Sequence, residues 1–261
     1  MKRTLVIRHS PSETLAGNYT TVLEEQGFCL EFLNLFKSAP RYDRFSAPDL
    51  NDINMIVALG GPLHANTDYP ALREERAYMN DALAQSKPIF AVCLGAQLMA
   101  LELGATVEPT GGYQFGLRKI FVTAEGGNDP VFGKIAIPLV PTLHGDCFSH
   151  PPGAVGLAEG FILQRDGRYR RINTAFRYGN SYGFQFEPQL TLEELLTWNQ
   201  QLSDDYKLMG CDFDPEEESA RNVPEFTSFA PHHEKQMREL LMAFLGNAGL
   251  VRMLPDKSIV R

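Results

Sequence analysis

With 261 residues, of which 44% are hydrophobic and 21% charged, the chain is long enough to bury a substantial core and too ordinary in composition for a disordered or collagen-like protein. Its formal net charge of -8 and pI near 5.3 leave no electrostatic footprint for a phosphate backbone or an anionic membrane surface, so nucleic acid and membrane partners are not expected. Four cysteines, Cys29, Cys93, Cys147 and Cys211, occur without any C-x-x-C pair, which argues against a disulfide framework or a zinc site and predicts reduced thiols.

The first ten residues, MKRTLVIRHS, begin with basic residues, but their apolar run stops at Arg8 and His9 and is too brief for a secretory signal. No stretch approaches the roughly 20 apolar residues of a membrane-spanning helix, and the expectation is a soluble cytoplasmic protein forming a single domain over 1–261. Thr4 to Ile7 reads as a strand buried on both faces, followed by a helix over about Leu15 to Gln26 that Gly27 closes, and by a second strand from Cys29 to Phe36. A third apolar run, Met55 to Leu59, ends at Gly60-Gly61-Pro62. A helical pattern from about Tyr69 to Gln85 then leads through Lys87-Pro88 into the strand Ile89 to Val92. Strands alternating with helices predict an α/β fold with a mainly parallel central sheet flanked by helices.

Beyond Gly104 the strand-like runs shorten, as in Arg118 to Thr123 and Tyr182 to Phe186, and read as added antiparallel strands and loops. Thr191 opens a helix through about Tyr206, and His232 to Leu245 reads as the last one. Adjacent helix positions point in different directions, so His232 and His233 are expected as surface residues rather than metal ligands. The acidic stretch Asp212 to Glu218 reads as a solvated loop.

The most informative segment is Pro88 to Ala100. An apolar strand runs directly into Cys93, small residues stand at Ala91 and Gly95, and a helical pattern starts immediately. That is the layout of a nucleophile elbow, with the thiol at the carboxyl edge of the sheet and helix N-terminal amides directed at it. Taken alone, a cysteine is more often a small buried hydrophobe, and Gly60-Gly61 more often a plain turn.

With Cys93-Leu94-Gly95-Ala96-Gln97, the upstream Gly60-Gly61-Pro62, and the downstream His144-Gly145-Asp146 and Pro151-Pro152-Gly153 in order, the sequence resembles the class I glutamine amidotransferases, particularly members similar to the amidotransferase domain of GMP synthase. The resemblance covers Met55 to Thr191 and extends more loosely beyond. It implies Cys93 as nucleophile, amides at Gly60, Gly61 and Leu94 around an oxyanion, and a glutamine pocket involving Gln97 and the His144 segment. It implies no cofactor and no metal.

In the family a strand ends in Gly-x-Gln-Phe-His-x-Glu, whereas this chain reads Gly183-Phe184-Gln185-Phe186-Glu187-Pro188-Gln189. The resemblance therefore puts Glu187 in the histidine position and Gln189 in the glutamate position, and Gln114 where relatives commonly carry a glutamate. Histidine suits the two proton transfers of amide hydrolysis, and an ionised carboxylate beside a thiol raises its pKa. The expected function is a Cys93-dependent glutamine amide hydrolysis that is weak, altered or lost, with any ammonia acceptor on a separate protein. The alternatives are a non-catalytic protein that keeps the pocket for a ligand, and a cysteine hydrolase acting on γ-glutamyl compounds.

Overall fold

The computed structural model describes residues 2–210 and 213–252. Cys211 and Asp212, both of which figure in the sequence expectations, lie outside them. An eight-stranded sheet runs through the molecule. Its first strands are β1 (Lys2–Arg8), β2 (Phe28–Asn34), β3 (Met55–Ala58) and β4 (Ile89–Val92), with helices α1 (Ala16–Glu25) and α2 (Pro70–Ala84) between them and α3 (Leu94–Glu102) after β4. β1 pairs in parallel with β2 and β3, and β3 with β4.

Period-two alternation explains why these strands read as continuous apolar runs. Val6, Val57, Phe90 and Val92 face a core that includes Tyr19 of α1, while Leu5, Ile7, Ile56, Ala58, Ile89 and Ala91 face a second core with Leu72 and Met79 of α2 and Leu98 of α3. Both faces are covered by helices, so neither needs polar residues. Each fully buried large side chain contributes roughly 1.5–3 kcal/mol relative to its exposed form.

The second half is largely antiparallel; the run expected over Arg118 to Thr123 is divided between the end of one strand and a two-residue strand, and the one expected over Tyr182 to Phe186 ends at Phe184. β5 (Val107–Lys119) pairs antiparallel with β7 (Leu139–Phe148) as a separate two-stranded sheet. β6 (Phe121–Val122), β8 (Val155–Leu163), β9 (Tyr169–Tyr178) and β10 (Ser181–Phe184) extend the main sheet, with the short helix α4 (Ala124–Asn128) following β6. β10 sits parallel to β4 and antiparallel to β9, so it joins the two halves. The carboxyl ends of β1, β3, β4 and β10 consequently lie on one edge, the place where such sheets put ligands.

Four expectations fail at the C-terminal end. Helix α5 spans Leu192–Gln201, capped by Thr191 and Glu194 in a reciprocal box, and gives way to a 3-10 segment, Ser203–Met209, that contains Tyr206. The last helix, α6, starts at Pro215 rather than His232 and runs to Asn247. Glu216, Glu217 and Glu218 thus form its first turn, where Asp214 accepts the amides of Glu216 and Glu217 and negative charge suits the helix N-terminus. Pro224 and Pro231 lie inside α6, and prolines argue against helix continuity in any sequence. His232 is exposed as expected, but His233 is buried. The N-terminal half of α6, α5 and the 3-10 segment pack on β5 through Phe115, Leu117, Trp198, Tyr206 and Phe226.

Candidate active site

Cys93 is the residue that turns β4 into α3. Its φ of 47° and ψ of -109° fall in a region that L-residues rarely occupy, which is strain held by the packing on both sides. The Cys93 N–H donates to Phe184 O of β10 at 2.7 Å, and the Gly95 N–H donates to Leu59 O at 3.2 Å. Gly95 has to be glycine, because a Cβ there would stand 2.4 Å from Ala58 O. Gly60 is equally confined. A Cβ on it would lie 3.1 Å from Cys93 Cβ, 3.1 Å from Glu187 Oε1 and 3.0 Å from Glu13 Oε1. Those three side chains therefore converge on one small space beside the thiol.

Glu187 is buried past the end of β10, and Gln189 Nε2 donates to its Oε2 at 2.8 Å. Burial pushes the Glu187 carboxyl up to about 7, against the hydrogen bonding from Gln189 and Cys93 that favours its ionised form. Burial also pushes the Cys93 thiol well above its ordinary range. Glu187 and then Glu13 add to that rise, and the Leu94 amide opposes it. The amide at the helix terminus favours a thiolate, but burial and two acidic groups outweigh it.

Gln185, which stands just past β10 at the glutamine of the family's strand-end motif, directs its Nε2 at Cys93 Sγ, 3.7 Å away, and accepts from Gln97 Nε2 at 3.3 Å. Gln97 also donates to Asp146 O at 3.4 Å. His144 Nδ1 lies 3.0 Å from Asp146 O and Nε2 3.1 Å from Gln114 Oε1, two acceptor oxygens of which a neutral ring can donate to only one, while Gln114 Nε2 donates to Phe161 O. Burial depresses the His144 pKa to about 4, so the ring is neutral near pH 7, and its partners are Gln114 and Asp146 rather than the thiol.

Cys93, Gly61, Gln97 and His144 line a cavity of about 420 Å³ that extends to Trp198, Leu202 and Leu208 of the α5 region. Gly60, Leu94, Glu187 and Gln189 lie behind this surface, around the thiol. Tyr113 and Asp205 also line it and are joined by a 2.7 Å hydrogen bond between the phenol and the carboxylate. Glu13, from the segment between β1 and α1, lines it too, and no sequence motif marks it. Its carboxyl is raised well above the usual range by burial and by Glu187 and Glu194, and its Oε2 has no hydrogen-bond partner among the described residues. No group of three metal-ligating side chains occurs among the described residues.

An α/β scaffold presenting a strained cysteine at a strand-to-helix turn, on the carboxyl edge of its parallel strands, defines a class of protein. The chain belongs to the class-I glutamine amidotransferase family, whose family model matches residues 17–195. It is 28% identical to the glutamine amidotransferase-like protein YfeJ of Salmonella typhimurium over 185 residues, 68% of this chain and 72% of that one. It is 34% identical to one subunit of the glutamine-hydrolysing GMP synthase of Natronomonas pharaonis over 153 residues, 58% of this chain and 74% of the relative. Against the GMP synthase of Marinobacter nauticus, 29% identical, the match spans only 27% of the relative's length. The fold is that of a glutamine amidotransferase from Methylobacillus flagellatus (TM-score 0.78, 20% identity, 95% of each chain) and of one from Thermotoga maritima (TM-score 0.73, 23% identity, 94% and 98% covered). No helix among the described residues is long and apolar enough to cross a membrane.

Proposed function

We propose that this chain binds glutamine, or another γ-glutamyl amide, against Cys93 and hydrolyses it weakly or not at all. The observation that carries this reading is the pairing around the thiol. Glu187, backed by Gln189, adjoins Cys93 and raises its pKa, where a working site of this kind needs a base that lowers it. In amide hydrolysis the sulfur attacks the side-chain carbonyl, ammonia leaves with a proton, and water resolves the thioester to glutamate. Leu94 and Gly61 supply N–H groups for the oxyanion, and Gln97, Gln114 and His144 shape the substrate pocket. Glu187 stands in the histidine position and Gln189 in the glutamate position. Moving the thiol proton to Glu187 is uphill, since the carboxyl titrates near 7 and the thiol well above its ordinary value.

A protonated thiol in a retained pocket also supports a second reading, a ligand-binding protein without turnover. The extension of the cavity to Trp198 and Leu208 favours, as a third, a γ-glutamyl compound with a larger leaving group. Any ammonia acceptor would be a separate protein, and free thiols at Cys29, Cys93 and Cys147 suit work in the cytoplasm. The test is alkylation by a chloroketone analogue of glutamine, read by intact mass, together with ammonia release. An adduct on wild type, absent from Cys93→Ala and slowed by free glutamine, is expected. Failure of glutamine to protect Cys93 would remove glutamine as the ligand, and ordinary Cys93-dependent turnover would overturn the assignment of weak activity.

A further inference from the structure

His9 follows β1 and is fully buried, as is Glu75 of α2. Neither stands in a recognisable sequence motif, and neither reaches the thiol. The ring Nδ1 lies 3.0 Å from Leu59 O and 3.1 Å from Gly60 O. Both partners are carbonyl oxygens, so Nδ1 carries a proton and donates it to both. Nε2 meets Glu75 Oε2 at 2.7 Å. Burial opposes a charge on the ring, but Glu75 together with the Gly60 and Leu59 carbonyls outweighs it and the His9 pKa is raised.

The two carbonyls that His9 holds belong to the peptide units that set the amides around Cys93. In a planar trans peptide the C=O and the following N–H point in opposite directions. Fixing Gly60 O on His9 therefore aims the Gly61 N–H away from the ring, on the segment that lines the cavity with Cys93. Leu59 O accepts from His9 and also from the Gly95 N–H, which anchors the first turn of α3 and with it the Leu94 amide that acts on the sulfur. Close approach is built in, since a Cβ on Gly61 would stand 2.5 Å from His9 Cβ. A buried ion pair is a costly way to hold a turn that any apolar contact could fill, and its use here is geometric.

We infer that His9, oriented by Glu75, is the positioning residue for the oxyanion hole, tying the Gly60–Gly61 peptide and the first turn of α3 to one imidazole. The inference rests on the proposed use of Gly61 and Leu94 as oxyanion donors, and its test separates the two.

Two variants are compared with wild type. His9→Asn keeps an N–H near the Nδ1 position, and His9→Leu/Glu75→Met removes both partners together so that no charge is stranded. Each is titrated with glutamine and with the corresponding γ-aldehyde, which adds Cys93 as a thiohemiacetal and places an oxygen in the hole. The expected result is a loss of about 10- to 100-fold in aldehyde affinity for the double variant, with glutamine affinity within about threefold, and recovery of most of the loss in His9→Asn. Equal loss for both ligands, or no loss of either, overturns the inference. A crystal structure of the double variant reads the Gly60–Gly61 peptide directly, and an unmoved peptide overturns the inference as well. If wild type binds neither glutamine nor the aldehyde, the proposed function falls, and a turned Gly60–Gly61 peptide in the double variant then supports the positioning role while an unmoved one rejects it.

Discussion

On one side of Cys93 stand main-chain amides after β3 and at the start of α3; on the other stand the side chains of Glu187 and Glu13, with Gln189 behind Glu187. The first side depends on close packing, as at Gly95, and on hydrogen bonds between neighbouring strands and turns. The second depends on which protonation state a few buried carboxyls adopt. A backbone-built half tolerates little change without loss of the fold, whereas a side-chain half can be altered while the scaffold stays intact. Chemistry is thus easier to lose here than shape.

The largest expected effect comes from rewriting the side-chain half. Glu187→His supplies a base, but Gln189 lacks the charge to stabilise an imidazolium, so the single variant should gain little. Adding Gln189→Glu should raise Cys93-dependent ammonia release by about 10²–10⁴-fold over wild type, with non-additive behaviour across wild type, Glu187→His, Gln189→Glu and the double variant. A folded, glutamine-binding double variant with no release above Cys93→Ala would show that the pocket itself, including Gln114, has changed its ligand.

Breaking the backbone half should instead cost stability. Gly95→Ala forces a Cβ to 2.4 Å from Ala58 O, a main-chain atom that cannot swing aside. A loss of about 3 kcal/mol in urea unfolding is expected. Gly127→Ala, which meets nothing within 4 Å, is the control and should be neutral or slightly stabilising. Similar stability in Gly95→Ala and the control would contradict the account of the turn.

The same division governs what could be read from the sequence. Val92-Cys93-Leu94-Gly95 and Gly60-Gly61 were legible because close backbone packing permits few residue types at fixed spacing. The strand order around β10 and the pairing of β5 with β7 were not, since antiparallel partners can be distant in sequence and local patterns do not say which run meets which. His9, Glu13 and Glu75 escaped for a related reason. Each is an ordinary polar residue in its own segment, and only the fold brings His9 and Glu13 beside Gly60 and Glu75 onto His9. The long helix α6 is interrupted in the sequence pattern by Pro224 and Pro231, whose local cost tertiary packing through Phe226 and Leu240 overrides.

A third prediction turns on the buried carboxyl. The Glu187 pKa rises from 4.5 to about 7 on folding, so the folded state holds its proton more tightly than the unfolded chain. Its contribution favours folding below the unfolded pKa and is lost as pH rises through the folded one. Stability should fall between about pH 4.5 and 7 by roughly 3 kcal/mol from this group, and Glu187→Gln should remove that part of the slope. Urea unfolding at pH about 5 and about 8 measures both proteins. Parallel slopes would show that Glu187 ionises as freely in the folded state as in the unfolded one.

The smallest effect tests whether Glu13 belongs with the side-chain half although it comes from the β1–α1 segment. Its Oε1 would lie 3.0 Å from a Cβ on Gly60, and its charge is one of the causes of the raised Cys93 pKa, after burial and Glu187. Glu13 itself is held protonated into a higher range than an ordinary carboxyl by burial, Glu187 and Glu194, so at low pH it adds no negative charge beside the thiol. Glu13→Gln keeps the shape and removes the ionisation. Alkylation of Cys93 by iodoacetamide should therefore be nearly unchanged in acid, where Glu13 is protonated in wild type as well, and faster than wild type in alkaline solution, where wild-type Glu13 is more ionised and its charge holds back the thiolate. The variant's rate advantage should grow with pH along the titration of Glu13. A constant ratio at every pH would mean that the substitution changes access to the sulfur rather than its charge, and Glu13 would then be part of the cavity wall alone.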